Sequence, residues 1–239
     1  MAQAVRAALA AKPAAEALRL LSRHPSRETK GRRAARWMSV GQAAGIMAKT
    51  VAPKNSASES VVSLKVTLRG TKPPVWRRLL IQGEMTLGDL HQAIQAAMGW
   101  HDSHLHAFGI DGRTYGDRHT DDDVADENHL TLKSLLKSGV TRFAYTYDFG
   151  DNWEHMVAIE KTQPTRAGES YPACVAGKRN CPPEDCGGAW GYLHLLEVLA
   201  DPTHPERDEQ IEWIGEEFDP DEFAVAVADE TLAARFNRK

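Results

Sequence analysis

The stretch SLKVTLRGTKPPVWRRLLIQGEMTLGDLHQAIQAAMG, residues 63–99, predicts how the fold begins. Apolar and polar side chains alternate over 63–69, as in a half-buried strand, and a Gly/Pro turn leads to a second strand over 75–81. Thr86 then has the position of a helix N-cap, with an acidic residue three positions on, and Gly99 is placed to end that helix. The stretch is therefore a predicted β-hairpin followed by a helix.

The segments after this helix complete a predicted α+β fold. A third strand over 104–110 and a short fourth around Tyr115 give the order β-β-α-β, with which a β-grasp-like mixed sheet begins, with the helix packed on it. The later segments, in chain order, are a short helix over 131–136, strands over 142–149 and 153–160, a Cys-containing loop over 171–188, and a C-terminal helical section over 189–200, 205–215 and 220–236. The last of these helices has Asp219 as its predicted N-cap and Pro220 at its first position.

Residues 1–60 differ in composition from the rest of the chain. They are rich in Ala and Arg and hold eleven Lys/Arg against three Asp/Glu, a formal charge of +8, whereas residues 61–239 have a formal charge of −12. We expect 1–60 to be a basic appendage, mostly disordered, and 61–239 to be the α+β domain. The appendage has the Arg-rich, acid-poor composition of an organelle transit peptide, and an alternative is that translation starts at Met38 or Met47.

The overall composition indicates a globular protein of the cytoplasm. The chain of 239 residues is 42% hydrophobic and 26% charged, which is ordinary for a packed domain. No apolar run approaches the ~18 residues that a bilayer-spanning helix needs, so no membrane partner is expected. The three cysteines fall within thirteen positions, which favours reduced thiols or a metal site over a disulfide framework. The acidic charge of the main domain disfavours nucleic-acid binding anywhere but in residues 1–60.

Cys174, Cys181 and Cys186 lie in a Pro/Gly-rich segment and predict a zinc site. Thiolates bind Zn²⁺ tetrahedrally, and a loop with these spacings can wrap one ion. A fourth ligand is needed: His155 is the first choice, because its strand leads directly to the loop, and His194 is the second. The alternative is that the three cysteines stay reduced and pack as small hydrophobic side chains.

The turn that follows the strand at 142–149 carries a second candidate group. Asp148 and Asp151 flank a Gly, and His155 lies on the outgoing strand, on the same face as Trp153. A carboxylate–histidine pair of this kind can do acid/base chemistry or bind a hard metal ion. The alternative, which we favour for Asp151, is that these Asp side chains accept hydrogen bonds from amides of the turn.

Two pairs of polar residues on the predicted strands are further candidates. His104 and His106 share one strand face, as two metal ligands do, although packing or hydrogen bonding is the commoner role because a metal site needs a third ligand. Arg77 and Arg78 point to opposite faces of the second strand. Because Arg77 shares the apolar face, we expect it to form a buried pair with a carboxylate.

Four motifs, taken together, resemble one protein family. PPVWRR at 73–78, WHDSHLHAF at 100–108, YDFGDNWEH at 147–155 and CPPEDCGG at 181–188 occur in this order and resemble the plasmid pRiA4b ORF-3-like family, whose relatives are also described as insertion-element passenger proteins of the TnpR type. The resemblance implies an α+β fold with a β-grasp-like core in a bacterial, plasmid- or mobile-element-associated protein, and it implies no established activity. The candidate binding residues at its motif positions are Trp76, Arg77, Arg78, Tyr147, Trp153, Glu184 and Asp185.

Three functions fit these residues, in decreasing order of preference. The first is a non-catalytic binding or accessory domain with a zinc-stabilised Cys/His loop, acting on an unknown partner such as another protein or a mobile-element component. It is favoured because no Walker loop, GxGxxG, GxSxG or HExxH pattern occurs, so an enzyme is not expected. The second is a metal-dependent hydrolase or nuclease, which requires convergence of His104, His106, Asp148, Asp151 and His155. The third is DNA binding through residues 1–60.

Overall fold

The computed structural model describes residues 60–118, 124–215 and 218–236, and it confirms the predicted α+β class. The described strands are β1 Ser60–Leu68, β2 Trp76–Gln82, β3 His106–Ile110, β4 Arg113–Gly116, β5 Ala125–Asp126, β6 Arg142–Tyr147, β7 Trp153–Pro164 and β8 Ala173–Lys178. The described helices are α1 Leu87–Met98, α2 Leu132–Lys137, α3 Gly188–Ala200, α4 Arg207–Ile214 and α5 Val225–Arg235, with a 3₁₀ turn at Glu127–His129.

These strands form one mixed sheet in the order β5-β4-β3-β6-β7-β1-β2-β8. Neighbouring strands run antiparallel, except for β4 and β5, which are parallel. Strand β1 lies inside the sheet, where Leu64 is paired with Leu79 of β2 on one side and Ile159 of β7 on the other. The finer expectation of a β-grasp arrangement is not confirmed by this topology.

One face of the sheet forms the hydrophobic core with helix α1. Buried side chains alternate along β2, with Leu79 and Ile81 among them, whereas in β1 the residues 61–64 are all buried, Leu64 included. Helix α1 contributes Leu90 and Ile94 to the same cluster. Burying one such side chain stabilises a fold by about 1.5–3 kcal/mol, so this layer of helix on sheet contributes substantially to stability.

The ends of helix α1 are confirmed as predicted. The Thr86 hydroxyl accepts from the Asp89 backbone N–H at 3.1 Å, and the Asp89 carboxylate accepts from the Thr86 N–H at 2.9 Å. Gly99 ends the helix with a φ of 93°, a left-handed conformation that glycine adopts without steric cost. Local sequence signals therefore fix both ends of the helix that covers the sheet.

Two predicted segments differ from the structure. The segment predicted as a Cys-containing loop includes strand β8, which pairs with β2 and brings Cys174 opposite Leu79. A free edge of β2 supplies this pairing, and a sequence pattern does not reveal such an edge. Helix α5 begins at Val225 rather than near Pro220, because the Asp219 carboxylate accepts from the N–H two residues on, at 2.9 Å, and so closes a turn instead of capping a helix.

The predicted appendage of residues 1–60 lies outside the described residues, apart from Ser60, as do Met38 and Met47. Its boundary and its role stay predictions. None of the helices in the described ranges is long and apolar enough to cross a membrane. The cytoplasmic location expected from the sequence also stays a prediction.

Candidate metal centre

Three side chains from distant parts of the chain meet beyond the end of β6. His104 lies between α1 and β3, Asp148 follows β6, and Asp185 lies in the connection from β8 to α3. Nε2 of His104 is 3.1 Å from Oδ1 of Asp185 and 3.7 Å from Oδ2 of Asp148. The three donor atoms lie within 4.8 Å of one another, and the described ranges contain no other such group of His, Cys, Asp or Glu. We name this group the His/Asp centre.

The turn between β6 and β7 directs Asp148 into the centre. Its Oδ1 accepts from the backbone N–H of Gly150 at 2.9 Å and of Asp151 at 3.4 Å, so Oδ2 is the oxygen that faces His104. Asp148 and Asn152 have φ values of 54° and 53°, and short polar side chains tolerate this left-handed conformation better than most. The turn therefore uses one carboxylate oxygen for its own amides and leaves the other for a ligand.

Asp185 is brought to the centre by contacts of its loop with the rest of the domain. Tyr147 donates its hydroxyl proton to Glu184 at 2.5 Å, and the same hydroxyl oxygen accepts from the Ser103 N–H at 2.9 Å. Burial and the Glu184 carboxylate raise the pKa of Tyr147, so the phenol stays a neutral donor. On the far side of Asp185, the Gly187 N–H donates to Asp151 at 3.1 Å. The loop is thus tied down on both sides of its ligand.

The centre is open to solvent on one side. The side chain of Asp148 is 11% exposed and that of His104 is 31% exposed, whereas that of Asp185 is 71% exposed. One imidazole nitrogen and two carboxylate oxygens form a donor set that suits Zn²⁺ or a similar transition-metal ion. Three protein ligands and an open side leave room for a water molecule or an external ligand on such an ion.

The cysteines of the predicted zinc site are not part of this group. Cys174 and Cys181 lie near the Arg77 guanidinium, whereas Cys186 lies near the carboxylates of Asp151 and Asp185. Burial raises the pKa of the Cys174 thiol to about 11, and those of Cys181 and Cys186 to about 12, so the free thiols are protonated at neutral pH. Zinc binding by the cysteines stays a prediction.

The candidate ligands His155, His194 and His106 lie in other environments. His155 is 1% exposed, its ring lies 5.4 Å from that of Trp100, and neither ring nitrogen has a hydrogen-bond partner among the described residues. Burial lowers its pKa to about 4. His194 lies on the surface, 2.9 Å from Glu206, and His106 lies 2.8 Å from the buried carboxylate of Glu127. The structure thus brings together two of the five proposed hydrolase residues, His104 and Asp148.

A buried hydrogen-bonded chain beside His106 was missed by the sequence reasoning. The His91 ring stacks on that of His106 with centroids 3.5 Å apart. Nε2 of His91 lies 2.6 Å from the Asp102 carboxylate, and its Nδ1 lies 2.8 Å from the Tyr145 hydroxyl. Because a carboxylate only accepts, Nε2 donates to Asp102, and Nδ1 accepts from Tyr145. Gln95 donates to the Tyr145 oxygen at 3.0 Å. In the sequence, the position of His91 on the apolar face of α1 was the feature that could have indicated a buried, hydrogen-bonded histidine.

The remaining candidate binding residues support the sheet. Arg77 is 2% exposed, but its partners are carbonyl oxygens and the Phe223 ring, not the predicted carboxylate. Its Nε donates to the Ala97 carbonyl at 2.8 Å, so the charge sits at the negative end of the α1 dipole. On the other face, Arg78 pairs with Glu160 at 2.7 Å and lies near the Trp76 ring. Trp153 is buried in the core.

The fold and the site together define an α+β domain with an open His/Asp centre. The family model for the plasmid pRiA4b ORF-3-like protein matches residues 60–227, and the chain belongs to this family. The chain is 43% identical over 159 residues to "Uncharacterized protein y4hQ" of Sinorhizobium fredii, covering 65% of this chain and 81% of that protein. It is also similar to the crystal structure of the protein of unknown function MM3350 from Methanosarcina mazei Go1. That match has a TM-score of 0.67 and 40% identity, over 71% of this chain and 97% of the other.

Proposed function

We propose that this domain binds a divalent transition-metal ion through His104, Asp148 and Asp185, and that the ion stabilises the Cys-containing loop of a non-catalytic binding or accessory domain. The observation that carries the proposal is the approach of three donor atoms to within 4.8 Å of one another. They come from three separate connections of the fold. Ligands at about 2.1 Å from one Zn²⁺ ion lie roughly 3.4 Å apart, which the separations at His104 approach.

In this arrangement Asp185, and not the cysteine thiolates, links the metal ion to the loop. Two carboxylates that approach one imidazole repel each other, and a bound cation offsets this repulsion. The ion would therefore hold the loop against the turn at Asp148. A zinc site formed by Cys174, Cys181, Cys186 and His155 is the competing prediction, and the two sites respond to different substitutions.

Metal binding by the full chain tests this function. We expect isothermal titration calorimetry with Zn²⁺ and Mn²⁺ to give one site, and Asp148→Asn and Asp185→Asn to weaken it by roughly 100-fold or more, because each removes a charged ligand. Asp126→Asn is the matched control: Asp126 lies 3.5 Å from His129, and within the described residues this pair has no third ligand. Loss of the site in Cys181→Ser, with full binding in Asp148→Asn, would instead support the thiolate site.

Metal-dependent hydrolysis is the second candidate function, and the open side of the centre favours it. A bound ion with a free position lowers the pKa of its water and so supplies a nucleophile at neutral pH. We expect any hydrolysis of bis-p-nitrophenyl phosphate or p-nitrophenyl acetate to require the metal and to be lost in Asp148→Asn. If the protein binds the metal ion but hydrolyses neither ester, the non-catalytic role is favoured. DNA binding through residues 1–60, and a role within a mobile element, stay predictions.

A further inference from the structure

Large apolar side chains are exposed on, or directly after, each segment that carries a ligand of the His/Asp centre. Leu105, next to His104, is 49% exposed, and Phe149, next to Asp148, is 54% exposed. Trp190, in the first turn of α3, is 85% exposed. Single exposed apolar residues are common, whereas several on segments that meet at one site are typical of an interaction surface. We name these three residues the apolar rim.

The segments that carry the rim residues meet at the turn after β6. The Leu105 carbonyl accepts from the Asp148 N–H at 2.8 Å, and Phe149 belongs to the turn itself. The start of α3 rests on the same turn, because a Cβ added at Gly188 would lie 2.2 Å from the Asp151 carbonyl oxygen. Trp190 therefore projects from a helical turn that contacts the segment carrying Asp148 and Phe149.

The charge around the rim selects the chemistry of its partner. Besides the two ligand carboxylates, whose charge a bound ion offsets, Asp151 and Glu184 lie in the two segments that meet here, and residues 61–239 have a formal charge of −12. A polyanion such as a nucleic acid is repelled by this field, whereas basic side chains are attracted. Exposed aromatic rings also bind Arg side chains through cation–π contacts. The exposure of Asp185 indicates an open surface that suits a chain segment better than an enclosed small molecule.

We propose that the apolar rim and the metal-loaded His/Asp centre together bind an extended polypeptide segment of a partner protein that carries apolar and basic side chains. The segment places apolar groups against the rim and an oxygen of its backbone or C-terminus on the open side of the ion. This inference rests on the proposed metal function, and it names the class of ligand that the metal centre takes.

Fluorescence anisotropy with labelled peptides tests the inference on the full, Zn²⁺-loaded chain. The probes are three ten-residue peptides: alternating Arg and Leu, alternating Arg and Ser, and alternating Glu and Leu. We expect the Arg/Leu peptide to bind most tightly, and Phe149→Ser and Trp190→Ser each to weaken it roughly tenfold, as loss of an interface anchor does. Val227→Ser is the matched control, because Val227 is 61% exposed on α5 and outside the rim.

The other outcomes separate this inference from the metal proposal. Zinc binding without Arg/Leu peptide binding overturns the peptide inference and leaves the metal function standing. Peptide binding that is unchanged in EDTA or in Asp148→Asn overturns the shared site. The inference is also overturned if the chain binds the Arg/Ser or the Glu/Leu peptide as tightly as the Arg/Leu peptide. The same holds if the Val227→Ser variant and the rim variants bind the Arg/Leu peptide with equal affinity. An oligo-dT strand whose binding falls in the rim variants would make the surface a nucleic-acid site instead.

Discussion

Arg77 and Arg78 are adjacent residues with opposite environments, so one substitution should affect them very differently. Arg77 is buried, and its guanidinium donates to the carbonyl groups of Ala97, Lys178 and Arg179. We expect Arg77→Met to lower the free energy of unfolding by about 3 kcal/mol or more, because these carbonyls lose charged donors inside the protein. Urea denaturation followed by circular dichroism measures the change.

Arg78→Met is the control for that experiment. The Arg78–Glu160 pair is about one-third exposed, with side-chain exposures of 34% and 30%. Surface pairs of this kind contribute about 0–1 kcal/mol, so the free energy of unfolding should change little. Equal losses in the two variants would mean that Arg77 has no special role in joining the end of α1 to β8.

The residues of the candidate centre illustrate what a sequence can reveal about a site. Asp148 and His104 were candidates because of their types and motifs, yet nothing in their spacing along the chain indicated that Asp185 would join them. That meeting depends on how the loop before α3 folds back on the turn after β6. His91 and Asp102 were missed for the same reason, because their hydrogen bond depends on the packing of α1 against the sheet.

At the scale of elements, helix α1 depends on its N-terminal cap. The Thr86 hydroxyl accepts from the Asp89 N–H, which would otherwise have no partner in the first turn. Thr86→Ala should lower the free energy of unfolding by about 1 kcal/mol, and Thr86→Ser should restore most of it, because serine offers the same acceptor. Chemical denaturation of the three proteins measures this, and an unaffected Thr86→Ala variant would show that tertiary packing alone holds the helix.

Elements that are determined by neighbouring residues in the sequence were predicted well. Elements that depend on partners far away in the sequence were not. The hairpin of β1 and β2, and helix α1, follow from alternation, turn residues and caps that lie within one short stretch. Strand β8 was read as loop because its partner among the described strands is the edge of β2, which is distant in the sequence. The sequence of β1 does not predict its position between β2 and β7 either, because its alternation of apolar and polar residues is compatible with any neighbouring strand.

At the scale of the whole molecule, buried neutral histidines should make the fold sensitive to acid. Burial lowers the pKa of His91 and of His155 to about 4 from an ordinary 6.5. The unfolded chain therefore binds more protons than the folded chain below pH 6.5, and stability is lost as the pH falls from 6.5 towards 4. By pH 4.5 each of the two histidines should lower the free energy of unfolding by roughly 2–3 kcal/mol, because one pKa unit corresponds to about 1.4 kcal/mol.

The variant His155→Phe isolates one of these contributions. The ring lies among aromatic side chains, 5.3 Å from Tyr145 and 5.4 Å from Trp100, so phenylalanine should be tolerated there. Between pH 7.5 and 4.5, its free energy of unfolding should fall by roughly 2–3 kcal/mol less than that of the unmodified protein. His129→Gln is the control, because the His129 side chain is 83% exposed. Parallel pH curves for His155→Phe and the unmodified chain would mean that the pKa of His155 is the same in the folded and in the unfolded chain.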